Sequence, residues 1–264
     1  MECFVRAYHN ETSAINVIRD EKSKLLLTEK EYEELKKALV CGCEKSSHDS
    51  ETFRTRAAGI LASDAFIEDA ALTAFTLGCK QYVSLGSGLE SFAVRHTPLI
   101  GSVRFFEADT PENISDKKQR LDRAGIDYSF INFVECDFEK EPLSERLAKT
   151  PFEKFRTSFF NAAGLCRHLN RKELYSVLKQ ISDLSSEGSS LCFSYRTSEK
   201  SDTGTTFGNS EIHSVLSKLG FRIYELSDGV QLEKRFFSLF NKFNSDSPLH
   251  PEKGTMLCLA VKKC

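Results

Sequence analysis

Two glycines one residue apart, Gly86 and Gly88, end the apolar stretch QYVSLGSG, and two acids, Glu107 and Asp109, end the next such stretch, VRFFEAD. Both patterns carry chemistry. A glycine at a strand exit permits a sharp turn, and a second one removes the side chain that would keep a ligand off the main chain. A carboxylate at the tip of the neighbouring strand can accept hydrogen bonds from the hydroxyls of a ribose. The acids follow the glycines by about twenty residues, the separation expected of a nucleoside site built on successive strands. The turn Gly86-Ser87-Gly88 can also be glycine-rich for shape alone, and the acids beyond it argue for the ligand. A dinucleotide fold asks for a third glycine three residues on, where a pyrophosphate meets the helix start. Here that residue is Ser91. A nucleoside without a pyrophosphate fits better, and S-adenosylmethionine is the commonest such ligand.

The elements that must position these residues show in the hydrophobic periodicity. From Gln81 onward short apolar runs alternate with helical patterns: QYVSLG, VRFFEAD, INFVECD, TSFFNAA and SLCFSYR read as strands, DKKQRLDRAG and NRKELYSVLKQISDL as helices. Such alternation predicts an α/β fold, a parallel sheet with helices on both faces. Near the C-terminus FRIYELS and TMLCLAVKK have little room between them for a regular crossover, which predicts an antiparallel pair at the sheet edge. Residues 1–78 read as helical. LTEKEYEELKKALV puts Leu27, Tyr32, Leu35 and Leu39 on one face, with Thr28 as cap and Glu31 three residues later. LASDAFIEDAALTAFTLG is a second amphipathic helix closed by Gly78, and GCEKSSHDSET between them reads as a loop. The expected organisation is a helical extension over 1–78 and one compact unit over 79–264, without repeat, low-complexity segment or linker.

Composition narrows the class. The 264 residues are 40% hydrophobic, enough for a sizeable core, with 36 Lys and Arg against 38 Asp and Glu. A net charge of -2 offers no electrostatic reason to expect a nucleic-acid or anionic-membrane partner. No apolar run approaches the roughly 20 residues of a bilayer span, and MECFVRAYHNETS lacks a signal-peptide core. A soluble cytoplasmic protein is the plain reading. The nine cysteines are scattered, which suits reduced thiols. Cys41 and Cys43 have no second pair at zinc spacing, so no metal site is expected.

Taken in order, GCKQYVSLGSGLESFAVR, FFEADTPENISDKKQRL and FVECDFEKEPL resemble the leucine carboxyl methyltransferase-like family, in its bacterial branch related to polyketide O-methyltransferases. That branch shows an E-D pair before a helix, then G-x-x-Q-Y-V-x-L-G-A-G-L-D-S-F-A-x-R, then E-V-D-x-P with a K-x-x-R-L tail. Glu68 and Asp69 match the first; Gly78, Gln81, Gly86, Gly88, Ser91 and Arg95 the second; Glu107, Asp109, Pro111, Lys117, Arg120 and Leu121 the third. The likeness covers about residues 60–235.

The resemblance implies a class I methyltransferase: a Rossmann-like, seven-stranded, mostly parallel sheet with its last strand antiparallel, plus the N-terminal helices. It implies S-adenosylmethionine as cofactor, with Gly86, Ser87 and Gly88 lining its site and Asp109 as ribose acceptor, supported or replaced by Glu107. It places Asp137 at the adenine amino group and Phe138 against the purine, with a helix N-cap as the alternative for Asp137. Ala163 and Gly164 fall in the fourth-strand exit, which faces cofactor and substrate in the family. His168 stands there where a Tyr is usual, as a catalytic base or an exposed loop histidine. The family's Arg before the E-D pair, which binds the cofactor's carboxylate, is missing from ASDAFIED. Arg56, ahead of Arg54, is the substitute or else a solvated charge. Arg95 steadies the turn more readily than it touches ligand.

Methyl transfer from a sulfonium asks the protein chiefly to align the acceptor and exclude water. An ionised carboxylate acceptor needs no base, whereas a hydroxyl profits from one. The expected function is O-methylation of a carboxylate or hydroxyl on a small metabolite, with no nucleic-acid or membrane partner. The acceptor pocket would be roofed by the N-terminal helices and the loop SYRTSEKSDTGTTFG. The departures at the Arg and Tyr positions leave a catalytically silent cofactor-binding module open, as is a protein C-terminal carboxyl methyltransferase. A nicotinamide oxidoreductase is disfavoured by the missing glycine.

Overall fold

A computed structural model describes residues 1–41, 47–138, 140–166, 169–197 and 208–263. Seven strands form one sheet in the order β3-β2-β1-β4-β5-β7-β6. They are β1 (Gln81–Leu85), β2 (Arg104–Asp109), β3 (Ile131–Glu135), β4 (Ser158–Asn161), β5 (Ser190–Arg196), β6 (Phe221–Ser227) and β7 (Thr255–Lys262). The first five are mutually parallel, and β7 runs antiparallel to both β5 and β6. The five predicted strands and the closing antiparallel pair are all present. The strand order reverses between β1 and β4, and the carboxyl ends of those strands are where an open α/β sheet binds ligand.

The N-terminal part holds α1 (Glu2–Thr12), α2 (Lys22–Leu26), α3 (Glu29–Lys36) and α4 (Ser47–Thr76). Thr28 caps α3 as expected, its hydroxyl accepting from the Glu31 N–H while the Glu31 carboxylate accepts from the Thr28 N–H. The stretch read as a loop over 42–52 is helical from Ser47 onward, so α4 has 30 residues. Its Ser, His, Asp, Glu and Thr look like a loop by composition, but no Gly or Pro interrupts 47–58 and acids suit a helix start. Ala57, Ala58, Leu61, Ala62, Ala65, Phe66 and Ala71 of α4 are buried, and the alanines let the helix lie close to the sheet.

The two faces of the sheet have separate cores. On one, Tyr82, Phe105, Phe159, Leu257 and Leu259 pack with α1, α4 and Leu121 of α6 (Pro111–Ala124). On the other, Val83, Phe106, Phe160 and Phe193 pack with α7 (Leu143–Leu147), α9 (Arg171–Leu184) and α10 (Asn209–Lys218). Short helices α5 (Phe92–Arg95) and α8 (Ala163–Cys166) follow β1 and β4, and α11 (Gly229–Leu232) and α12 (Ser238–Phe243) join β6 to β7 through a π-helical turn. Strand alternation puts Phe105, Glu107 and Asp109 on the α4 face, and register aligns Glu107 with Ser84 and Ser84 with Asn161.

His9 ties the N-terminal segment down. Its Nε2 accepts from the Val17 N–H at 2.9 Å, its ring lies 5.4 Å from that of Phe240, and burial lowers its pKa to about 4. The unfolded histidine takes its proton near pH 6.5, so between those values the unfolded chain binds more protons than the folded one. Stability therefore falls as pH drops from about 7 to 4, by up to about 3 kcal/mol from this residue. Urea titrations across that range should show the slope in the wild type and its loss in His9→Gln.

Candidate active site

The turn after β1 is tied to β2 by the Gly86 N–H, which donates to the Ala108 carbonyl at 2.8 Å, and closed on itself by the Glu90 N–H, which donates to the Ser87 carbonyl at 2.8 Å. Gly86 and Gly88 have φ of +66° and +46°, a region that favours glycine. They differ in surroundings. A Cβ at Gly86 would meet Leu165 side-chain and backbone atoms at 3.1–3.2 Å, and one at Gly164 would meet the Gly86 carbonyl oxygen at 3.0 Å. The β1 and β4 exits thus touch backbone to backbone. A Cβ at Gly88 would meet nothing within 4 Å. Gly86 serves the protein's own packing, and Gly88 is the residue that opens onto space.

Asp109, at the tip of β2, closes the turn. Its Oδ2 accepts from the Gly88 N–H at 2.7 Å, and its Oδ1 from the Thr110 N–H and Asn113 Nδ2, each at 2.8 Å. A carboxylate offers about four acceptor positions, so one remains. Glu107 does not face the crevice. It is 2% exposed, ion-paired with Lys117, whose Nζ also donates to the Glu90 carbonyl at 2.6 Å. Burial, with Glu90 nearby, raises its pKa to about 7 against the pull of Lys117. The Glu90 carboxylate accepts from Tyr82 and Ser84, and Asn161 Nδ2 donates to the Tyr82 hydroxyl at 3.2 Å. A buried polar layer therefore underlies the turn.

Above it, the N-terminal helices bring a second set of charges. Arg6 of α1 is 4% exposed. Its Nε donates to Asp20 at 2.9 Å and Ser23 at 3.0 Å, one Nη to Asp64 at 3.1 Å and the other to the Leu89 carbonyl at 2.7 Å. Asp20, fully buried, also accepts from the Ser91 hydroxyl at 2.6 Å. Burial alone would raise its pKa, but Arg6 and Arg95 hold it below the ordinary value. A narrow cleft of about 20 Å³ lies against the turn, lined by Arg6, Asp64, Ile67, Glu90, Ser91, Phe92, Arg95 and Asn161.

The motif charges mostly fasten these layers together. Arg95 bonds Ser91, the Arg19 carbonyl and Glu68; Asp69 pairs with Arg235; Arg120 reaches Glu31 and the Leu26 carbonyl. Among the other expected site residues, Ser87 and Ala163 are buried at 6% and 2%. Asp137 pairs with Lys140 at 2.6 Å, and its carbonyl accepts from the Lys140 and Glu141 N–H groups. It is not the cap of α7, whose N-cap is Pro142. Phe138 packs partly buried against the second core. Arg56 is exposed on α4 and is not among the cleft residues, where Arg6 stands instead. Arg54 lies with Glu51, Thr55, Pro248 and His250 around a separate hollow. His168, and residues 198–207 of the loop after β5, lie outside the described residues.

Arg6, Asp20, Asp64, Glu90 and Asn161 went unread as site residues in the sequence. The one signal for Arg6 is its place in CFVRAY, an arginine within an otherwise apolar helix face.

The model of the leucine carboxyl methyltransferase family matches residues 1–182. The chain belongs to the leucine carboxyl methyltransferase family. As a methyltransferase of that family it draws its methyl group from S-adenosylmethionine. YktD of Bacillus subtilis, named for S-adenosyl-L-methionine-dependent methyl transfer, is 30% identical over 210 residues, 74% of this chain and 69% of that protein. The carbon methyltransferase of CurJ shares the fold at a TM-score of 0.54 with 14% identity, over 92% of this chain and 66% of that one. Human N-acetylserotonin methyltransferase in complex with SAM is similar at 0.48 and 17% identity, over 87% of this chain and 60% of that one. The methyltransferase thus spans less than two thirds of either solved chain. No helix among the described residues is long and apolar enough to cross a membrane.

The residues present fit the cofactor. Gly88 leaves its main chain bare to a ligand, Asp109 keeps one acceptor position, and the adjoining cleft carries both signs of charge.

Proposed function

We propose that this methyltransferase is an O-methyltransferase acting on a carboxylate or hydroxyl of a small, soluble metabolite, with neither nucleic acid nor membrane as partner. The observation that carries the reading is the pairing of Gly88, open on its Cα side, with the Asp109 carboxylate bonded to its N–H at 2.7 Å. When bound, S-adenosylmethionine supplies a methyl group already activated on a sulfonium. The chain's own part is then to bind, orient and exclude water. Asp109 holds the turn in shape and offers its remaining lone pair to the ribose. Asp137 and Phe138 flank the purine, and Ala163 and Gly164 border the reacting end. Residues 1–78 act as a roof that removes water from the acceptor. An ionised carboxylate requires no general base, which suits a site whose buried carboxylates are already engaged with partners. His168 is the base for a hydroxyl acceptor.

The test is transfer of labelled methyl from S-adenosylmethionine to a panel of small carboxylic acids, phenols and alcohols, read beside calorimetry. Product on an oxygen supports the reading. Cofactor binding with no turnover on any acceptor would favour a silent binding module, and product on nitrogen or carbon would overturn the O-methyl assignment. Asp109→Ala is expected to weaken S-adenosylhomocysteine by about tenfold or more, the worth of a charged hydrogen bond, and to loosen Gly88 as well.

A further inference from the structure

A hollow of about 220 Å³ opens between the N-terminal turns of α4 and the segment that leads into β7, lined by Glu51, Arg54, Thr55, Pro248 and His250. It has roughly ten times the room of the cleft against the glycine turn, and approaches the ~300 Å³ at which small-molecule sites begin. Both walls stand over the carboxyl ends of the strands. Thr55 and Thr76 lie about 32 Å apart along α4, which leads down into β1, whereas the five residues of β1 span about 17 Å. The start of α4 therefore overhangs the sheet. The other wall enters β7 at Thr255, which pairs with Arg196 at the end of β5. This is the edge at which an open α/β sheet receives its ligands. Asp64, which lines the cleft at the glycine turn, lies about 15 Å from Arg54 along the helix.

The hollow combines a free cation with a fixed wall. Arg54 is half-buried and has neither ion pair nor hydrogen bond among the described residues, and the Thr55 hydroxyl beside it has no partner among them. A planar guanidinium so placed can grip a carboxylate in two-pronged fashion. Opposite, the Asn241 side chain of α12 accepts from the Leu249 N–H at 2.9 Å and donates to the Leu249 carbonyl at 3.1 Å, and Leu249 is buried in the first core. On the far side of His250, the backbone of Pro251 and Glu252 passes so close to Gly229 that a Cβ there would meet the Glu252 carbonyl oxygen at 2.6 Å. His250 is thus held from both sides, with Nδ1 2.9 Å from Glu233 and Nε2 unpartnered among the described residues. Glu51, one turn before Arg54, adds a negative charge to the rim, which tolerates a singly charged carboxylate better than a dianionic phosphate.

We propose that this hollow is the outer half of the acceptor site, where Arg54 and Thr55 hold one carboxylate of an elongated dicarboxylic acid whose other carboxylate is methylated. The inference rests on the O-methyl reading above and deepens it to a substrate class. The length of α4 between the hollow and the glycine turn is what asks for an elongated acceptor. At the inner carboxylate an O–C bond forms as the C–S bond breaks. That bond's electron pair stays on sulfur and no proton is transferred, so the products are the monomethyl ester and S-adenosylhomocysteine.

Calorimetry on the full chain saturated with S-adenosylhomocysteine tests it with straight-chain dicarboxylates from octanedioate to tetradecanedioate, their monomethyl esters and their dimethyl esters. The best-fitting diacid and its monoester keep a carboxylate for Arg54, and should bind about tenfold or more tighter than the diester, the worth of a charged hydrogen bond. Arg54→Gln should erase that margin and leave the diester unchanged. Under turnover the same variant should raise KM for the diacid by about tenfold at constant kcat, because the outer grip is made equally in the ground state and the transition state. Equal affinity for diacid and diester in the wild type, or a margin that survives Arg54→Gln, overturns the inference, while methyl transfer to the oxygen of other acceptors would leave the O-methyl reading standing. Weakening of S-adenosylhomocysteine by Arg54→Gln as large as that of the diacid would assign the arginine to the cofactor and overturn the inference too. Failure of S-adenosylhomocysteine to bind the wild type removes both readings.

Discussion

Replacing Lys117 by alanine is expected to cost about 3–5 kcal/mol of stability, the usual result of stripping one partner from a buried ion pair. Both side chains of the pair are almost wholly enclosed, at 1% and 2% exposure. Without the ammonium, Glu107 must either stay charged beside Glu90 in a dry interior or take up a proton, and the Glu90 carbonyl loses its donor as well. For a chain of this size that corresponds to a melting temperature lower by on the order of 10 °C. Circular dichroism melts measure it directly. The double replacement Lys117→Met with Glu107→Gln should recover part of the loss, because no unpaired charge remains. A single variant melting within about 2 °C of the wild type would mean that the pair does not hold the turn from below.

The two glycines of the turn are expected to fail in opposite ways when changed to alanine. At Gly86 the new methyl meets Leu165 at 3.1–3.2 Å, including backbone atoms that cannot rotate away, at a φ of +66°. Strain and clash together should cost about 3 kcal/mol or more. At Gly88 the φ of +46° carries strain of about 1–2 kcal/mol, but the methyl enters open space. The fold should survive there, and S-adenosylhomocysteine affinity should drop by about tenfold or more, since the methyl occupies the approach to the main chain. Melting and calorimetry on both variants read the contrast. A Gly88→Ala protein that binds the nucleoside as well as the wild type would place the ligand elsewhere.

Much of the fold was legible because it follows from local patterning. Runs such as TSFFNAA and SLCFSYR are too apolar and too short for anything but buried strands, and the Thr28 cap marks a helix start through bonds made within four residues. The start of α4 was not legible, since SHDSET has the composition of a loop and only its continuation into a packed helix decides the matter. The glycine turn stood out, but its two glycines read alike; their different surroundings come from Leu165, some eighty positions along the chain. Glu107 and Asp109 were equally good acids on paper. Lys117, ten residues later, draws Glu107 into the interior, while Asp109 at the tip closes on Gly88.

By itself the sequence determined the parallel sheet with its antiparallel end, the glycine turn with an acid on the next strand, and the family resemblance. These depend on periodicity and short-range spacing, which any chain displays before it folds. Only the tertiary structure decided which charge faces the cleft. Arg6 and Asp64 lie 58 positions apart, and Leu89 another 25 beyond Asp64, yet one guanidinium bonds both. A buried charge is tolerable only where partners surround it, and those partners arrive from whichever segments the core packs together, so no local pattern could announce them.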